Sequence, residues 1–217
     1  MRRFRTSRLR LVVATLIGSL CFTGVAYAAS LGLSSTKLHA WTQTLTKGSC
    51  NQGYATADDT FASKLSPGTV YGSPSIPQTL FTYGGTTFTT YAFIRFDLSG
   101  CNLPATAGAD NATLTLFVTS ATGDTISLYP VYSSWSSSTL SWNGVAGLTV
   151  GATPTASFVA SAGFHTVTVT ADVDAAIKAG TLWGWELQDP NANATQIASS
   201  TYATTADRPS MTLSYEK

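Results

Sequence analysis

The feature that most constrains the fold is a period of two among the apolar residues of several short segments. In residues 112–118, alanine, leucine and valine occupy every second position. In residues 164–170, phenylalanine and threonine alternate with histidine and valine. Successive side chains of a β-strand point to opposite faces, so this pattern predicts half-buried strands. The segments with strand character are residues 59–64, 79–83, 91–98, 112–118, 125–132, 140–142, 164–170, 182–188 and 209–215.

The composition between these segments favours an all-β fold. β-branched residues are abundant, and glycine and proline interrupt the chain at short intervals, which is typical of strands joined by turns. Residues 171–179 form the one helical segment, with Asp172 at its start and Gly180 at its end. We predict a jelly-roll-like antiparallel β-sandwich with one short helix. An immunoglobulin-type sandwich is the alternative, although its cysteine spacing around a central tryptophan is missing from the sequence.

The N-terminus predicts export. Five arginines in residues 1–10 precede an almost uncharged apolar run at residues 11–25, and Ala26-Tyr27-Ala28 supplies a signal-peptidase cleavage site. A retained membrane anchor is the competing interpretation, but the run is shorter than the roughly 20 residues that a membrane helix needs. We predict cleavage after Ala28 and a secreted, extracellular protein without membrane insertion. The domains are then a signal peptide (1–28), an extended arm (29–57) and a sandwich (58–217).

Cleavage of the signal peptide changes the charge balance. It removes five of the twelve basic residues and none of the eleven acidic ones, so the mature chain is acidic. Because it has no Lys/Arg cluster, the mature chain lacks the electrostatic basis for binding nucleic acid. The same charge disfavours binding to anionic membranes and polyanionic sugars.

Two cysteines, Cys50 and Cys101, remain after cleavage. An even number of cysteines in an oxidising compartment predicts a disulfide between them. Two separate buried thiols are the alternative. A metal site built on this pair is disfavoured, because the sequence has no Cys-x-x-Cys motif and two histidines in all, His39 and His165.

The ionisable residues do not form an evident catalytic set. His39 lies in the predicted arm and His165 within a predicted strand, and the sequence lacks a Gly-x-Ser-x-Gly motif, so a hydrolytic triad has no obvious base or nucleophile. Glycoside hydrolysis needs two facing carboxylates. Glu186 has no evident partner, and Asp97 is expected to pair with Arg95 on the same strand. We therefore predict that the protein is not an enzyme, and a hydrolase with unrecognised carboxylates is the least favoured hypothesis.

The strand segments, in their order, also resemble a known family. Residues 93–98, 112–117, 165–169 and 208–215, together with Trp135 and residues 140–142, are similar to the strands of the secreted DNRLRE domain, also described as carbohydrate-binding module family 96. The resemblance spans roughly residues 58–215. It implies a non-catalytic β-sandwich that binds polysaccharide or a cell-surface glycan. A structural or adhesive surface module without a sugar ligand is the alternative function.

Sugar recognition uses flat aromatic faces that stack on pyranose rings and are bordered by short polar side chains. The candidates are aromatic residues next to turns or polar loops, namely Tyr71, Tyr83, Trp135, Trp142 and Tyr202. Trp135 and Trp142 fall where the resembled family has its own tryptophans. For these two residues, packing at the end of the sandwich is the competing interpretation.

Two further groups of residues have both a structural and a functional interpretation. Trp183, Trp185 and Leu187 alternate on one strand face, which is typical of the core rather than of a ligand platform. Asp58 and Asp59 are candidate ligands of a structural calcium ion, since jelly-roll modules often hold such an ion through carboxylates. A solvated acidic turn is the competing interpretation of this pair, and we expect no other cofactor.

Overall fold

A computed structural model describes residues 47–72, 79–82, 89–104, 106–121, 123–179, 183–191 and 194–216. The predicted signal peptide, most of the predicted arm and the candidate ligand-binding residue Tyr83 lie outside these residues. Within the described ranges, none of the helices is both long enough and apolar enough to cross a membrane.

The described residues form eleven strands and two α-helices. The strands are β1 (Lys47–Gln52), β2 (Ala57–Ser63), β3 (Thr79–Thr82), β4 (Thr90–Phe96), β5 (Gly108–Ser120), β6 (Thr125–Pro130), β7 (Ala156–Val159), β8 (Gly163–Thr168), β9 (Trp185–Gln188), β10 (Thr195–Ala198) and β11 (Ser210–Glu216). The helices are α1 (Trp142–Val145) and α2 (Thr170–Ala179). Short 3-10 turns occupy Tyr54–Thr56, Ser99–Cys101 and Thr205–Asp207.

The strands form two sheets, and every pairing between described strands is antiparallel. The first sheet has the order β1-β11-β5-β10-β3, with β8 on the other edge of β5. The second sheet has the order β2-β4-β9-β6-β7. The chain changes sheet at most connections, as jelly-roll-like sandwiches do. The predicted antiparallel β-sandwich is confirmed.

The main core lies between the two sheets. On β5, Leu114 and Leu116 are buried whereas the residues between them are half-exposed, so the predicted alternation is confirmed. Leu128 of β6 and Leu187 of β9 enter the same cluster from the second sheet. Burial of such side chains, worth roughly 1.5–3 kcal/mol each, is the main force that holds the two sheets together.

A second, smaller cluster covers the outer face of the second sheet. Phe93 of β4 is fully buried there together with Val131, Trp135 and Leu140 from the segment 131–150. Its neighbour Ile94 points the other way, into the main core. The sequence-based prediction that β4 is apolar on both faces and lies inside the sheet is therefore confirmed.

Other elements differ from the sequence-based prediction. Residues 140–142, predicted as a strand, lead into the single turn of α1, and the strands β1, β7 and β10 were not predicted. These three strands are short, and β1 and β7 lie at sheet edges with alternately exposed residues. These segments are strands because they pair with neighbouring strands, and not because they have a clear apolar alternation of their own. Residues 47–52 of the predicted arm are extended, and they pair with β11.

The predicted disulfide between Cys50 and Cys101 is confirmed. It joins β1 to the 3-10 turn that follows β4, with a Cα–Cα distance of 5.6 Å. The side-chain amide of Gln52 lies 2.9 Å from both sulfur atoms. The bond therefore connects the edge of the first sheet to the end of a central strand of the second.

Replacing both cysteines by serine (Cys50→Ser, Cys101→Ser) is expected to lower the free energy of unfolding. The bond closes a loop with a sequence separation of 51, for which the chain-entropy estimate is about 4 kcal/mol. Denaturant unfolding of the double variant and of the oxidised wild type measures the difference, and reduction of the wild type should reproduce it. Equal stability of the two proteins would contradict a stabilising role for the bond.

Candidate functional site

One end of the sandwich contains a cleft with a volume of about 470 Å³, within the range of about 300–1,000 Å³ found for ligand pockets. It is lined by Thr56, Asp58, Arg95, Phe96, Asp97, Leu98, Leu103, Pro104, Ala176, Ile177 and Trp183. These residues come from the 3-10 turn before β2, from β2, β4 and α2, and from the segments that follow β4 and precede β9. The cleft thus combines an apolar surface with three charged side chains.

Arg95 and Asp58 form an ion pair inside the cleft. They lie opposite each other on β4 and β2, and Asp58 Oδ2 accepts hydrogen bonds from Nε and Nη2 of Arg95 at 3.0 and 2.7 Å. The sequence-based expectation that Arg95 pairs with Asp97 is wrong. Because β4 ends at Phe96, Asp97 is no longer in the strand, and the carboxylate on the neighbouring strand is the partner.

Two indole rings enclose the guanidinium of Arg95. Its Cζ atom lies 5.3 Å from the ring centroid of Trp135 and 5.2 Å from that of Trp183, distances at which cation–π attraction operates. The indole N–H of Trp135 donates to the carbonyl of Trp183 at 2.5 Å. Arg95 is therefore held in one position by an ion pair and two aromatic contacts.

Gly184 determines where Trp183 lies. Its φ angle is +88°, a backbone conformation that favours glycine. A Cβ atom at this position would lie 2.2 Å from the carbonyl oxygen of Ile94, so a larger residue is excluded. The backbone therefore turns just before β9. Trp183 lines the cleft, while Trp185 is buried in the core, and the prediction that both share one strand face is wrong for Trp183.

Asp97 lies at the rim of the cleft and is exposed. The backbone N–H of Ser99 donates to its Oδ1 at 2.8 Å, and this bond lowers the pKa of Asp97 below its usual value. The neighbouring apolar wall is formed by Leu98 and Leu103, which flank the turn that contains Cys101. The disulfide therefore anchors this wall to β1.

Helix α2 supplies the opposite apolar wall through Ile177. The helix is fixed to both sheets by two carboxylates in its first half. Asp172 accepts a hydrogen bond from the indole N–H of Trp185 at 2.7 Å, and Asp174 accepts one from the backbone N–H of Ala109 at 3.0 Å. These contacts explain the two acidic residues at the helix start and hold Ile177 in place.

The aromatic residues predicted from the sequence do not come together in one site. Tyr71 stacks on Phe61 with a centroid distance of 4.1 Å, and Trp142 packs against Tyr91 at 5.3 Å. Tyr202 is half-buried, and its carbonyl accepts a hydrogen bond from Arg208. Trp135 is buried, with 6% of its surface exposed, and reaches the cleft through Arg95. As ligand-binding residues they stay predictions.

The candidate calcium ligands Asp58 and Asp59 face opposite sides of β2. Asp58 bonds to Arg95, whereas Asp59 points between the sheets and accepts hydrogen bonds from the backbone N–H and the hydroxyl of Ser200 at 2.6 and 3.2 Å. In the part of the chain that the structure describes, no three His, Cys, Asp or Glu residues are arranged to hold a metal ion. Calcium binding at this pair stays a prediction.

Sequence reasoning missed Arg95 and Trp183 as site residues. Each belongs to a segment that reads as a core strand, so the local pattern gives no functional signal. The glycine after Trp183 is the one local hint that the strand pattern breaks there. The pairing of Arg95 with Asp58 depends on the register between β2 and β4. This register cannot be predicted from the sequence of either strand.

The chain is similar to a known protein family. The family model of carbohydrate-binding module family 96 matches residues 51–215, which is more than half of the chain and includes every strand from β2 to β10. No curated protein matches the chain. The matched range includes all the residues that line the cleft.

Asp59 is expected to make stability depend on pH. Burial raises the pKa of Asp59 to about 6, although two hydrogen bonds from Ser200 oppose the shift. The native state then holds a proton that the unfolded chain has released, so the contribution of Asp59 to stability is present at low pH and is lost as pH rises toward 6. Asp59→Asn should remove this loss, which is on the order of 1–3 kcal/mol. Denaturant unfolding at several pH values measures it.

The exposed variant Asp110→Asn is the control for this experiment, because Asp110 bonds to Lys47 at the surface. Its unfolding free energy should follow the pH dependence of the wild type. A pH dependence of Asp59→Asn that is identical to the wild type between pH 4 and pH 6 would show that Asp59 has no such effect.

Proposed function

The chain belongs to carbohydrate-binding module family 96, and from this premise we propose that it is an exported, non-catalytic module that binds a polysaccharide or cell-surface glycan in the cleft. The proposal rests on one observation, which is that Trp183 and the Arg95–Asp58 ion pair line the same concave site. Aromatic contact combined with polar side chains is the chemistry that sugar recognition requires.

The cleft offers both kinds of contact to a sugar ring. The C–H face of a pyranose can pack against Trp183 and the apolar wall formed by Leu98 and Ile177. Among the hydrogen bonds of the described residues, those to Asp58 end on Oδ2, which leaves Oδ1 to accept from a sugar hydroxyl. Asp97 at the rim provides a second acceptor.

The fixed position of Arg95 supports binding rather than catalysis. Its ion pair and two indole contacts mean that little side-chain freedom is lost when a ligand is bound, and such preorganisation reduces the entropic cost of association. Its guanidinium carries five N–H donors, and two of its nitrogens bond to Asp58. The remaining donors can serve sugar hydroxyls.

Export is part of the same proposal. The arginine-rich start, the apolar run and the Ala-Tyr-Ala site support a cleaved signal peptide. The Cys50–Cys101 disulfide fits an oxidising compartment outside the cytoplasm. A structural or adhesive surface module would need the same export, so binding measurements have to distinguish the two functions.

Trp183→Ala is expected to weaken polysaccharide binding about tenfold, which corresponds to about 1.4 kcal/mol of lost contact. Affinity electrophoresis against neutral, amino and acidic polysaccharides identifies the ligand, and calorimetry with its oligomers gives the affinity. Trp183→Phe, which keeps an aromatic ring, should retain part of the binding. The matched control is Phe164→Ala, because Phe164 is 57% exposed on β8 and lies outside the cleft.

Thermal unfolding of each variant separates loss of binding from loss of folding. If Phe164→Ala loses binding while the folded Trp183→Ala variant keeps it, the site lies elsewhere and the proposed cleft is wrong. If the folded wild type binds no polysaccharide of the panel, the structural or adhesive function is preferred.

A further inference from the structure

The strand β8 has the features of an interface between two copies of this chain. We infer that the protein forms a symmetric dimer in which the β8 strands of two copies pair antiparallel, so that the first sheet continues from one copy into the other. Three observations support the dimer: the edge of β8 is open, no charged residue lies on it, and apolar side chains are exposed beside it.

β8 is an edge strand of the first sheet. Among the described strands it pairs with β5 alone, in a regular register along its whole length (Gly163–Thr168). An edge strand presents unpaired backbone N–H and C=O groups, and proteins commonly protect such edges with charged residues, proline or a bulge. β8 contains no proline and no charged residue, and its pairing with β5 shows no bulge. Within the described ranges, its outer edge is therefore available for pairing with a further strand.

The distribution of charge favours contact between two copies on this side of the sandwich. The described residues include eleven acidic and five basic side chains, so two copies repel each other where their charged surfaces face. Residues 125–171, which include β6, β7 and β8, contain no Asp, Glu, Lys or Arg. By contrast, the edge strands β1 and β2 carry Lys47, Asp58 and Asp59. The uncharged edge strand β3 is short and contacts β2 and β4. Two copies that meet at β8 therefore bring no like charges together.

Exposed apolar side chains lie beside the open edge. Phe164 on β8 is 57% exposed and Val159 on β7 is 62% exposed. Phe164 packs against Phe117, its partner on β5, with ring centroids 4.9 Å apart. Phe158 and His165 stack at 4.5 Å and hold β7 next to β8. Exposed apolar surface is typical of protein–protein contacts, and aromatic residues are enriched at the centre of interfaces.

β8 is well suited to pairing with a copy of itself. An antiparallel pair of identical strands is related by a two-fold axis, so each copy offers the other the same residues. The outward-facing residues of β8 are Phe164, Thr166 and Thr168. Pairing about Thr166 places Phe164 of each copy opposite Thr168 of the other, at a distance where cross-strand side chains touch. The ring of Phe164 then covers the methyl group of that threonine.

The dimer has a consequence for the proposed function. It carries two copies of the cleft, and two linked sites bind one polymer more tightly than a single site does when both can engage. This consequence depends on the proposed function, whereas the dimer itself does not.

Sedimentation velocity of the purified protein over a series of concentrations tests the dimer. We expect a reversible dimer with a dissociation constant of about 1–100 µM, because one strand pair with two phenylalanines forms a small interface. Hydrogen exchange locates the interface. The β8 amides that point away from β5 should exchange more slowly as the protein concentration rises.

Two variants test the residues of the interface. Phe164→Ala should weaken the dimer about tenfold, because it truncates an aromatic residue at the contact. Thr166→Lys should abolish the dimer, because the two-fold axis brings the two lysines together and a charged edge resists strand pairing. The matched control is Ser49→Lys, since Ser49 is an exposed residue of β1, another edge of the same sheet. It should dimerise like the wild type, and thermal unfolding shows whether each variant is folded.

The possible outcomes either support or overturn the dimer. A protein that stays monomeric up to about 1 mM contradicts it. A dimer that Phe164→Ala and Thr166→Lys leave unchanged contradicts pairing through β8. Slow exchange of the outward-pointing β8 amides at every concentration would show that another part of the same chain pairs with the strand, which also overturns the proposal.

Loss of the dimer and loss of sugar binding are separate results. Phe164 lies outside the cleft, so Phe164→Ala should keep the affinity of the wild type for short oligosaccharides in calorimetry. If the folded protein binds no saccharide, the proposed function fails, while sedimentation and hydrogen exchange still decide whether the dimer forms.

Discussion

The burial of β4 on both faces organises this molecule. Ile94 enters the core between the sheets, whereas Phe93 is enclosed by Trp135 and the segment 131–150 on the outer face. A strand covered on both sides can hold a charged residue only where a partner compensates the charge, because an unpaired buried charge is costly. Arg95 therefore lies at the end of the strand, opposite Asp58 and between two indole rings. The cleft begins at this end of β4, where the segment 131–150 no longer encloses the strand.

The walls of the cleft come from distant parts of the sequence, and each is fixed by a different interaction. The disulfide anchors the turn between Leu98 and Leu103. Hydrogen bonds from the sheets hold α2 and with it Ile177. The close approach of Gly184 to β4 places Trp183. Because a covalent bond, the docking of a helix and a glycine contact each fix a different wall, the fold itself determines the shape of the cleft.

The sequence predicted the parts of the fold that depend on local residue patterns. The alternation in residues 112–118 identified β5, the two apolar faces of β4 placed it inside a sheet, and the cysteine count identified the disulfide. The strands β1, β7 and β10 were missed because they lack a clear alternating pattern and are defined by pairing with other strands. The site was missed for the same reason. The register between β2 and β4 places Arg95 opposite Asp58, and the backbone turn at Gly184 places Trp183 in the cleft instead of the core. Neither arrangement can be derived from the local sequence pattern.

The charges of the cleft divide into two groups with different roles. Arg95 and Asp58 line the cleft and also support the fold, because they are partly buried and bonded to each other, and Arg95 is enclosed by aromatic rings. A change to either would leave the other without its partner, so neither can be altered without a cost in stability. Asp97 is exposed on a turn, and its bond to Ser99 is one that an asparagine would keep. Asp97 can therefore be replaced by asparagine while the ion pair that supports the fold stays intact.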